Sequence, residues 1–309
     1  MADAQIANPT ITILIVNWNA AAYLRDCLRS IRDTIGDISA ELLLVDANST
    51  DDSVAVTREL WPAMRLITVP ESLGYVKANN VGLKAARGKY TMYLNSDTIV
   101  QPGTFQALME FLNAHPEVAA ASGAILNPDG SDQGVIRLFP SIMNGIFGRR
   151  SILSRVFPNN PWYRRYMQSR RTDGLEPFDT EMISAASMVV RTELTQEMGG
   201  FDERFRFYWV DGELCTRFIQ RGYRVCCVPR ARVIHYEGKG GSTSTFKKRL
   251  QMNVAFNHGA YLAYVSYHQL GPLDPRRLVV KSILMARIAA LALLQFLRPG
   301  KATSSGGTN

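Results

Sequence analysis

The sequence predicts an α/β protein with a mainly parallel central sheet, helices on both faces and a C-terminal helical appendage. Three observations predict it. Over the first 125 residues, short apolar runs alternate with segments of helical period. The runs are hydrophobic along their whole length, as strands covered on both faces must be. The linkers between them carry Asn, Asp, Gly and Pro at the positions where helices start and stop.

In order, strands are expected at Ile11–Val16, Glu41–Asp46, Met64–Val69, Lys89–Asn95 and Val118–Ser122. Helices are expected at Tyr23–Ile35, Ser53–Leu60, Tyr75–Ala86 and Thr104–Ala114. Such sheets bind ligands at the carboxyl ends of their strands. From Asn127 to Asp179 the period is lost. This stretch is rich in Pro, Gly, Asn and Arg, with seven arginines between Arg149 and Arg171, which reads as a functional loop rather than scaffold. Met182–Arg191 reads as a strand, and Leu214, Cys215, Phe218 and Ile219 mark one helix face ending at Gly222. VCCVP and RVIHY read as two short strands. The chain is helical from Phe246, and Leu278–Leu297 is apolar except for Lys281, Ser282, Arg287 and Gln295. Three parts are expected: residues 1–125, residues 126–243 with a basic loop at 141–180, and residues 244–309, which end in a disordered tail.

Of the 309 residues 46% are hydrophobic and 20% charged, which excludes intrinsic disorder. The four cysteines form no CxxC pair, so neither a zinc site nor a disulfide scaffold is indicated, and a reducing compartment fits. The first residues show no basic stretch leading into an apolar one, the mark of a secretory leader. A net charge of +8 points to an anionic partner: a phosphate-bearing substrate, a membrane surface or nucleic acid.

Four polar groups fall where strands should end: Asp46, Asp97, Asp211 and His235. A lone Asp at such a place is commonly a helix N-cap, and Asp51 or Asp52 suits that role. Asp97 suits it less, because Pro102 discourages a helix through the residues that follow. Paired with His235, Asp97 could supply a mixed O/N site for Mg2+ or Mn2+, ions that bind through one or two protein groups plus substrate phosphates. Neither GxGxxG nor GxxxxGK[ST] occurs, and Gly238–Ser242 is merely glycine-rich. A nucleotide site here must therefore screen a diphosphate by other means, a metal ion being the obvious one.

Together these segments resemble the family 2 inverting glycosyltransferases of the GT-A fold over about residues 10–243. The resemblance rests on an ordered set of segments: IVNWN, VDANSTDDS, GYVKANNVGLKAARGKYTMYLNSDT, SAASMVVR, GGFDERF, WVDGELCTRFIQRGY and PRARVIHYEGKGGS. The rhamnosyltransferase-like enzymes of bacterial cell-surface polysaccharide are the most similar subgroup. The resemblance implies that Asp46 accepts a hydrogen bond from a uracil or thymine N–H, with Asn17 and Trp18 lining the base pocket. It implies that Asn80 and Ser96 help hold the donor, that Asp97 and His235 ligate the metal, and that Asp211 is the catalytic base. Asn95 stands where the family's DxD motif has its first acid, and Val210 where a Glu commonly precedes the base.

One carboxylate suffices to deprotonate an acceptor hydroxyl for inversion; retention would need a second as nucleophile. Glu213, two residues on along a helix, should point away from Asp211. The expected reaction moves a sugar, rhamnose by resemblance, from a UDP- or dTDP-sugar to a saccharide or polyprenyl-diphosphate-linked acceptor, with no nucleic acid involved. The expected place is the cytoplasm, at the inner face of the membrane, where Leu278–Leu297 with Arg276-Arg277 and Lys247-Lys248-Arg249 would dock on anionic lipid. The alternative is a catalytically inert sugar- or lipid-binding module, which Asn95 and Val210 favour and the retention of Asp97, Asp211 and His235 opposes.

Overall fold

In the computed structural model, which describes residues 8–139, 157, 161, 166, 172–236 and 246–297, the apolar runs all become strands of a single sheet. The first four are β1 (Ile11–Asn17), β2 (Ala40–Asp46), β3 (Arg65–Thr68) and β4 (Tyr90–Asn95), and they pair in parallel in the order β3-β2-β1-β4. The helices between them, α1 (Ala21–Thr34), α2 (Ser53–Leu60) and α3 (Gly74–Ala85), supply the crossovers that parallel pairing requires. Beyond β4 come β5 (Thr98–Val100), helix α4 (Thr104–Ala114), β6 (Val118–Leu126), β7 (Phe178–Asp179) and β8 (Ser187–Arg191). Then follow α5 (Thr192–Glu197), α6 (Val210–Gln220) and β9 (Arg224–His235), and the sheet runs on as β4-β8-β6-β9-β5 with β7 on β9. Strands β5, β7 and β8 oppose the other six. The sheet is therefore mostly parallel, as the sequence predicts.

Two apolar cores flank it. On one side Ile11, Ile13 and Ile15 of β1 meet Leu24, Leu28 and Ile31 of α1 and Phe105, Leu108 and Leu112 of α4. On the other, Leu14, Leu43 and Tyr93 meet Leu83 of α3 and Leu214, Cys215 and Phe218 of α6. Each such side chain contributes about 1.5–3 kcal/mol by leaving water. Both faces are covered because β1 is apolar from Ile11 to Val16 at every position but Thr12, whose hydroxyl donates to Glu41 at 2.7 Å and accepts the Gly88 N–H at 2.8 Å. Arg191 closes the far end of α4, donating to the carbonyls of Leu112 and His115 at 3.0 and 2.9 Å, where a cation offsets the negative end of the helix dipole. Asp51 serves two helices, accepting the N–H of Ala21 at 2.9 Å and of Ser53 at 3.0 Å.

The structure corrects four sequence expectations. VCCVP and RVIHY are one strand, β9, with a register irregularity against β6 between Ser122 and Ala124. Pro229 sits within it at that irregularity, where a missing N–H is tolerated. The strand expected at Met182–Arg191 begins only at Ser187; before it, Met182 forms an isolated bridge to Arg137. Thr98–Val100, unassigned from sequence, is β5, a three-residue strand too short for periodicity to reveal. Ile219 belongs to the exposed side of α6 at 36% accessibility, whereas Leu214, Cys215 and Phe218 are fully buried. The arginine-rich stretch Arg149–Arg171 and the segment Gly238–Ser242 lie outside the described residues, apart from the isolated positions noted.

Helices α7 (Phe246–Tyr267) and α8 (Pro275–Leu297) form the C-terminal appendage. Helix α7 lies against α6 and the loop before it. A side chain at Gly259 would sit 2.8 Å from the Tyr208 carbonyl, so the close approach needs glycine. Helix α8 packs on α7 through Arg287 to Asn257 and Arg277 to Tyr261, both 3.2 Å. Among the described residues no helix is long and apolar enough to cross a membrane.

Gly123 stands at the irregularity in β6, where an added Cβ would lie 2.3 Å from the Ala231 carbonyl oxygen. Backbone cannot yield as a flexible side chain can, so Gly123→Ala is expected to cost about 2–3 kcal/mol, read as a lowered urea midpoint with an unchanged m-value.

Candidate active site

The parallel strands β1, β2, β4, β6 and β9 bring their carboxyl ends to one edge of the sheet, and the candidate residues collect there. Strand β4 ends at Asn95; Ser96 and Asp97 form the turn into β5, which doubles back and pairs antiparallel with β9 so that Thr98 lies opposite His235. The Tyr236 N–H donates to the Asp97 carbonyl at 3.0 Å, fixing the turn against the strand end. As a result His235 Nε2 lies 3.3 Å from Asp97 Oδ1.

The imidazole is oriented by two amides. Gln133 Nε2 donates to the His235 carbonyl at 2.6 Å, which turns the Gln133 oxygen toward His235 Nδ1 at 3.0 Å. This assigns the ring proton to Nδ1 and leaves the Nε2 lone pair facing Asp97. Asn95 Nδ2 lies 3.3 Å from the same Nε2, and the Tyr75 hydroxyl donates to Asn95 Oδ1 at 3.2 Å. Asn95 thus supplies a donor where an acid would add a second negative charge.

Asp211 opens α6 beside this cluster. Its carboxylate accepts the N–H groups of Gly212 at 2.8 Å and Ala185 at 3.4 Å, while the next residue, Ala186, accepts the Asn95 N–H at 3.1 Å. Two consecutive residues, Ala185 and Ala186, therefore connect the two parts of the site. Tyr75 lies between them: burial raises its pKa most, and the charges of Asp211 and Asp97 both add to the rise. Burial also raises the Asp211 carboxyl, against the lowering effects of the Gly212 and Ala185 N–H groups and the Arg137 charge. Trp209, directly before the helix, holds φ at 72°, a left-handed conformation costly for a bulky residue and of the kind stored at functional sites. Glu213 points away from Asp211, as its spacing predicts. It is 2% exposed and paired with Arg217 at 2.9 Å, and Arg217 also donates to the Met198 and Gly200 carbonyls.

Asn17 and Asp46 end neighbouring strands. Asn17 Nδ2 donates to Asp46 Oδ1 at 3.0 Å, and Ser49 donates to Asp46 with its hydroxyl at 2.7 Å and its N–H at 2.8 Å. This leaves one acceptor position on Asp46 Oδ2. The Asn17 amide oxygen is buried and has no hydrogen-bond partner among the described residues, and Trp18 beside it is 41% exposed. Asn80 departs from expectation. Its amide donates to the Phe201 carbonyl at 2.9 Å and accepts the Phe201 N–H at 2.8 Å. The side chain therefore brackets the loop after α5 and is not available to a donor diphosphate. The neighbour Asn79, one turn from Tyr75 and donating to its carbonyl at 2.9 Å, shares the Tyr75 face of α3.

Sequence reasoning missed Tyr75, Gln133 and Arg137. Tyr75 had a usable signal, an aromatic in the first turn of a helix that follows a strand end. Gln133 and Arg137 lie in a stretch without period and are brought in by tertiary contacts alone.

A family model described as glycosyl transferase family 2 matches residues 12–191, which includes β1 through β8. The chain belongs to that family. Among curated relatives, the N-acetylglucosaminyl-diphospho-decaprenol L-rhamnosyltransferase of Mycobacterium tuberculosis is 28% identical over 240 residues, covering 74% of this chain and 76% of its own. The O-antigen biosynthesis protein RfbC of Myxococcus xanthus is 28% identical over 236 residues, 74% of this chain but only 17% of its own. Among solved structures, the mannosyltransferase PcManGT of Pyrobaculum calidifontis, in complex with GDP-Man and Mn2+, superposes with a TM-score of 0.57 at 19% identity, over 96% of this chain and 77% of its own. GalNAc-T7 with UDP, GalNAc and Mn2+ gives 0.56 at 17% identity over 80% of this chain, which spans 48% of the GalNAc-T7 chain. Both confirm the GT-A type of fold.

The family 2 site has a donor set that suits a small divalent cation. Among the described residues no group of three or more His, Cys, Asp or Glu gathers to hold a metal. The pair Asp97 and His235 is nonetheless a carboxylate and an oriented imidazole 3.3 Å apart, somewhat wider than the roughly 2.9 Å between neighbouring ligands on one octahedral ion with bonds of about 2.0–2.1 Å. A nucleotide diphosphate would supply the remaining oxygens.

The raised Asp211 carboxyl predicts a pH signature. Below the unfolded-state pKa both states are protonated. Above it the native state still holds a proton that the unfolded chain has lost, so this contribution to stability disappears as pH rises through the raised value. Thermal melts from pH 4 to pH 8 should therefore show wild type losing ground to Asp211→Asn as pH increases; parallel curves would show that the carboxyl titrates normally.

Proposed function

We propose that the chain is a metal-dependent inverting glycosyltransferase that moves a sugar from a UDP- or dTDP-sugar to a hydroxyl of a cell-surface polysaccharide or lipid-linked saccharide precursor. The observation that carries this reading is the placement of Asp211 beside the Asn95–Asp97–His235 cluster, joined to Asn95 through the backbone of Ala185 and Ala186. That spacing puts a base beside the place where a donor diphosphate would be held. The name of one relative, an N-acetylglucosaminyl-diphospho-decaprenol L-rhamnosyltransferase, favours rhamnose as the sugar and a polyprenyl-diphosphate-linked acceptor, and that of another, an O-antigen biosynthesis protein, favours a cell-surface polysaccharide. The reading places the enzyme in the cytoplasm, at the inner face of the membrane.

In this reading Asn17, Trp18 and Asp46 take the pyrimidine. The open Oδ2 position of Asp46 faces N3–H, the single N–H donor that uracil or thymine keeps in a nucleotide. Ser96 holds the donor from the β4–β5 turn. Asp97 and His235 would hold Mg2+ or Mn2+, which when bound supplies positive charge against the departing diphosphate. Asp211 accepts the proton of the acceptor hydroxyl as that oxygen attacks the anomeric carbon. Its raised pKa brings it nearer working pH, where a general base is most effective. The N–H groups of Gly212 and Ala185 keep its oxygens aimed. Glu213, the carboxylate next along the helix, is committed to Arg217, which accords with a single base and inversion.

Asp211→Asn is expected to lower kcat by about 10²–10⁴-fold while the UDP- or dTDP-sugar still protects the protein against thermal unfolding. Full transfer activity in this variant would remove the base assignment. His235→Ala is expected to abolish the part of that protection that depends on added Mn2+; unchanged Mn2+ dependence would remove the metal assignment. Absence of donor turnover in wild type, with the sugar nucleotide still bound, would instead support the inert binding module.

A further inference from the structure

We infer that α8 lies in the plane of an anionic membrane and docks the enzyme there through the helix face turned away from α7. The face is defined by its contacts. Arg277 and Arg287 reach inward to Tyr261 and Asn257, and Val280 is 9% exposed; at 100° per residue these positions share one side of the helix. The opposite side carries Leu278, Val279, Ile283, Met285 and Leu293, which are 71%, 55%, 53%, 60% and 59% exposed. Between them fall only Ser282 and alanines. So many large apolar side chains on one exposed face is more than a water-facing helix normally presents.

Charge decides the occupant. Helix α8 contains four cations and no Asp or Glu. Lys281 flanks one margin of the apolar face and Arg276, paired with Asp274 just before the helix, the other, each roughly 110° from its centre by the same helical rotation; Arg287 is turned inward to Asn257 and Phe256. Long cationic side chains at both margins reach to headgroup phosphates while the apolar strip enters the acyl boundary. A second protein copy would have to bring matching acids, which α8 itself does not offer. At the start of the helix an open hollow of about 380 Å³ is lined by Tyr261, Leu273, Arg277, Leu278 and Lys281, and Leu273 is 96% exposed, extending the same surface.

The docked helix is coupled to the site through α7. Arg287 lies over the Phe256 ring, and Phe256 packs against Trp209, two residues before Asp211. Docking does not require the acceptor to be lipid-linked; it goes beyond that reading and stands on the surface of α8.

The test is flotation of the full chain with vesicles of equimolar phosphatidylglycerol and phosphatidylcholine, against vesicles of phosphatidylcholine alone. Wild type is expected to float with the anionic vesicles at low salt, with partitioning at least about tenfold weaker in molar salt, where charge is screened within a few ångströms. The triple variant Leu278→Asp, Ile283→Asp and Leu293→Asp alters only exposed positions. It is expected to stay at the bottom while keeping the wild-type melting temperature and protection by the nucleotide sugar. Lys281→Glu should weaken flotation with anionic vesicles alone. The inference is overturned if wild type stays at the bottom at low salt, or if the triple variant floats like wild type. It is equally overturned if light scattering shows a dimer that the triple variant dissociates with no vesicle binding. Loss of flotation with activity on a soluble acceptor retained separates this surface from the catalytic assignment.

Discussion

The short antiparallel pairing of β5 with β9 is the constraint on which the site depends. Three residues long, it would be negligible as a source of stability, yet it forces the chain leaving β4 to turn back across the end of β9. Without that reversal Asp97 would continue outward along β4 and His235 would end a strand with nothing opposite it. The two side chains are 138 positions apart in the chain and meet because one backbone hydrogen bond, Tyr236 to Asp97, closes the turn. The parallel sheet supplies the edge, and β5 supplies the convergence.

Around this convergence the polar groups form a directed chain. Tyr75 donates to Asn95, the Asn95 amide nitrogen faces His235, and His235 donates to Gln133, which donates back to the histidine carbonyl. Every amide has one usable orientation, so the imidazole is held in a single tautomer before any ligand arrives. Replacement of the first motif acid by Asn95 belongs to this logic. An aspartate there would confront Asp97 and Asp211 with a third negative charge in a partly desolvated space, whereas the amide both accepts and donates. Asp211, by contrast, keeps its charge cost. Burial disfavours its ionised form, and the two backbone N–H groups offset only part of that. The left-handed backbone of Trp209 is a second local cost beside the same carboxylate. Stability is given up within a few residues of where chemistry is proposed, and the two apolar cores on either side of the sheet carry that loss.

Much of this was legible in the amino-acid order. Each of β1–β4 and β6 and of the first four helices is a repetitive local pattern, so hydrophobic period and turn chemistry locate it to within a few residues. Asp97 and His235 were recognisable because polar groups at the ends of buried strands are conspicuous, Asp211 because it opens a helix within a segment of the family resemblance, and Glu213 could be set aside by helical spacing alone. Pairing was not legible. A three-residue strand has no period, so β5 escaped notice. Local pattern does not show that a strand bends at Pro229 and resumes, so β9 was split in two.

The sequence by itself determined which segments are strands and helices, that the sheet is buried on both faces, and which ionisable groups stand at strand ends, because these follow from side-chain order along one element. Only the tertiary structure decided that Gln133 and Arg137, from an aperiodic loop, join the site. It alone decided that Asn80 serves the scaffold while Tyr75 faces the Asn95–Asp97–His235 cluster, and that the apolar side of α8 is the one α7 leaves uncovered. Those outcomes depend on contacts between elements far apart in the chain, whose free energies no single segment contains.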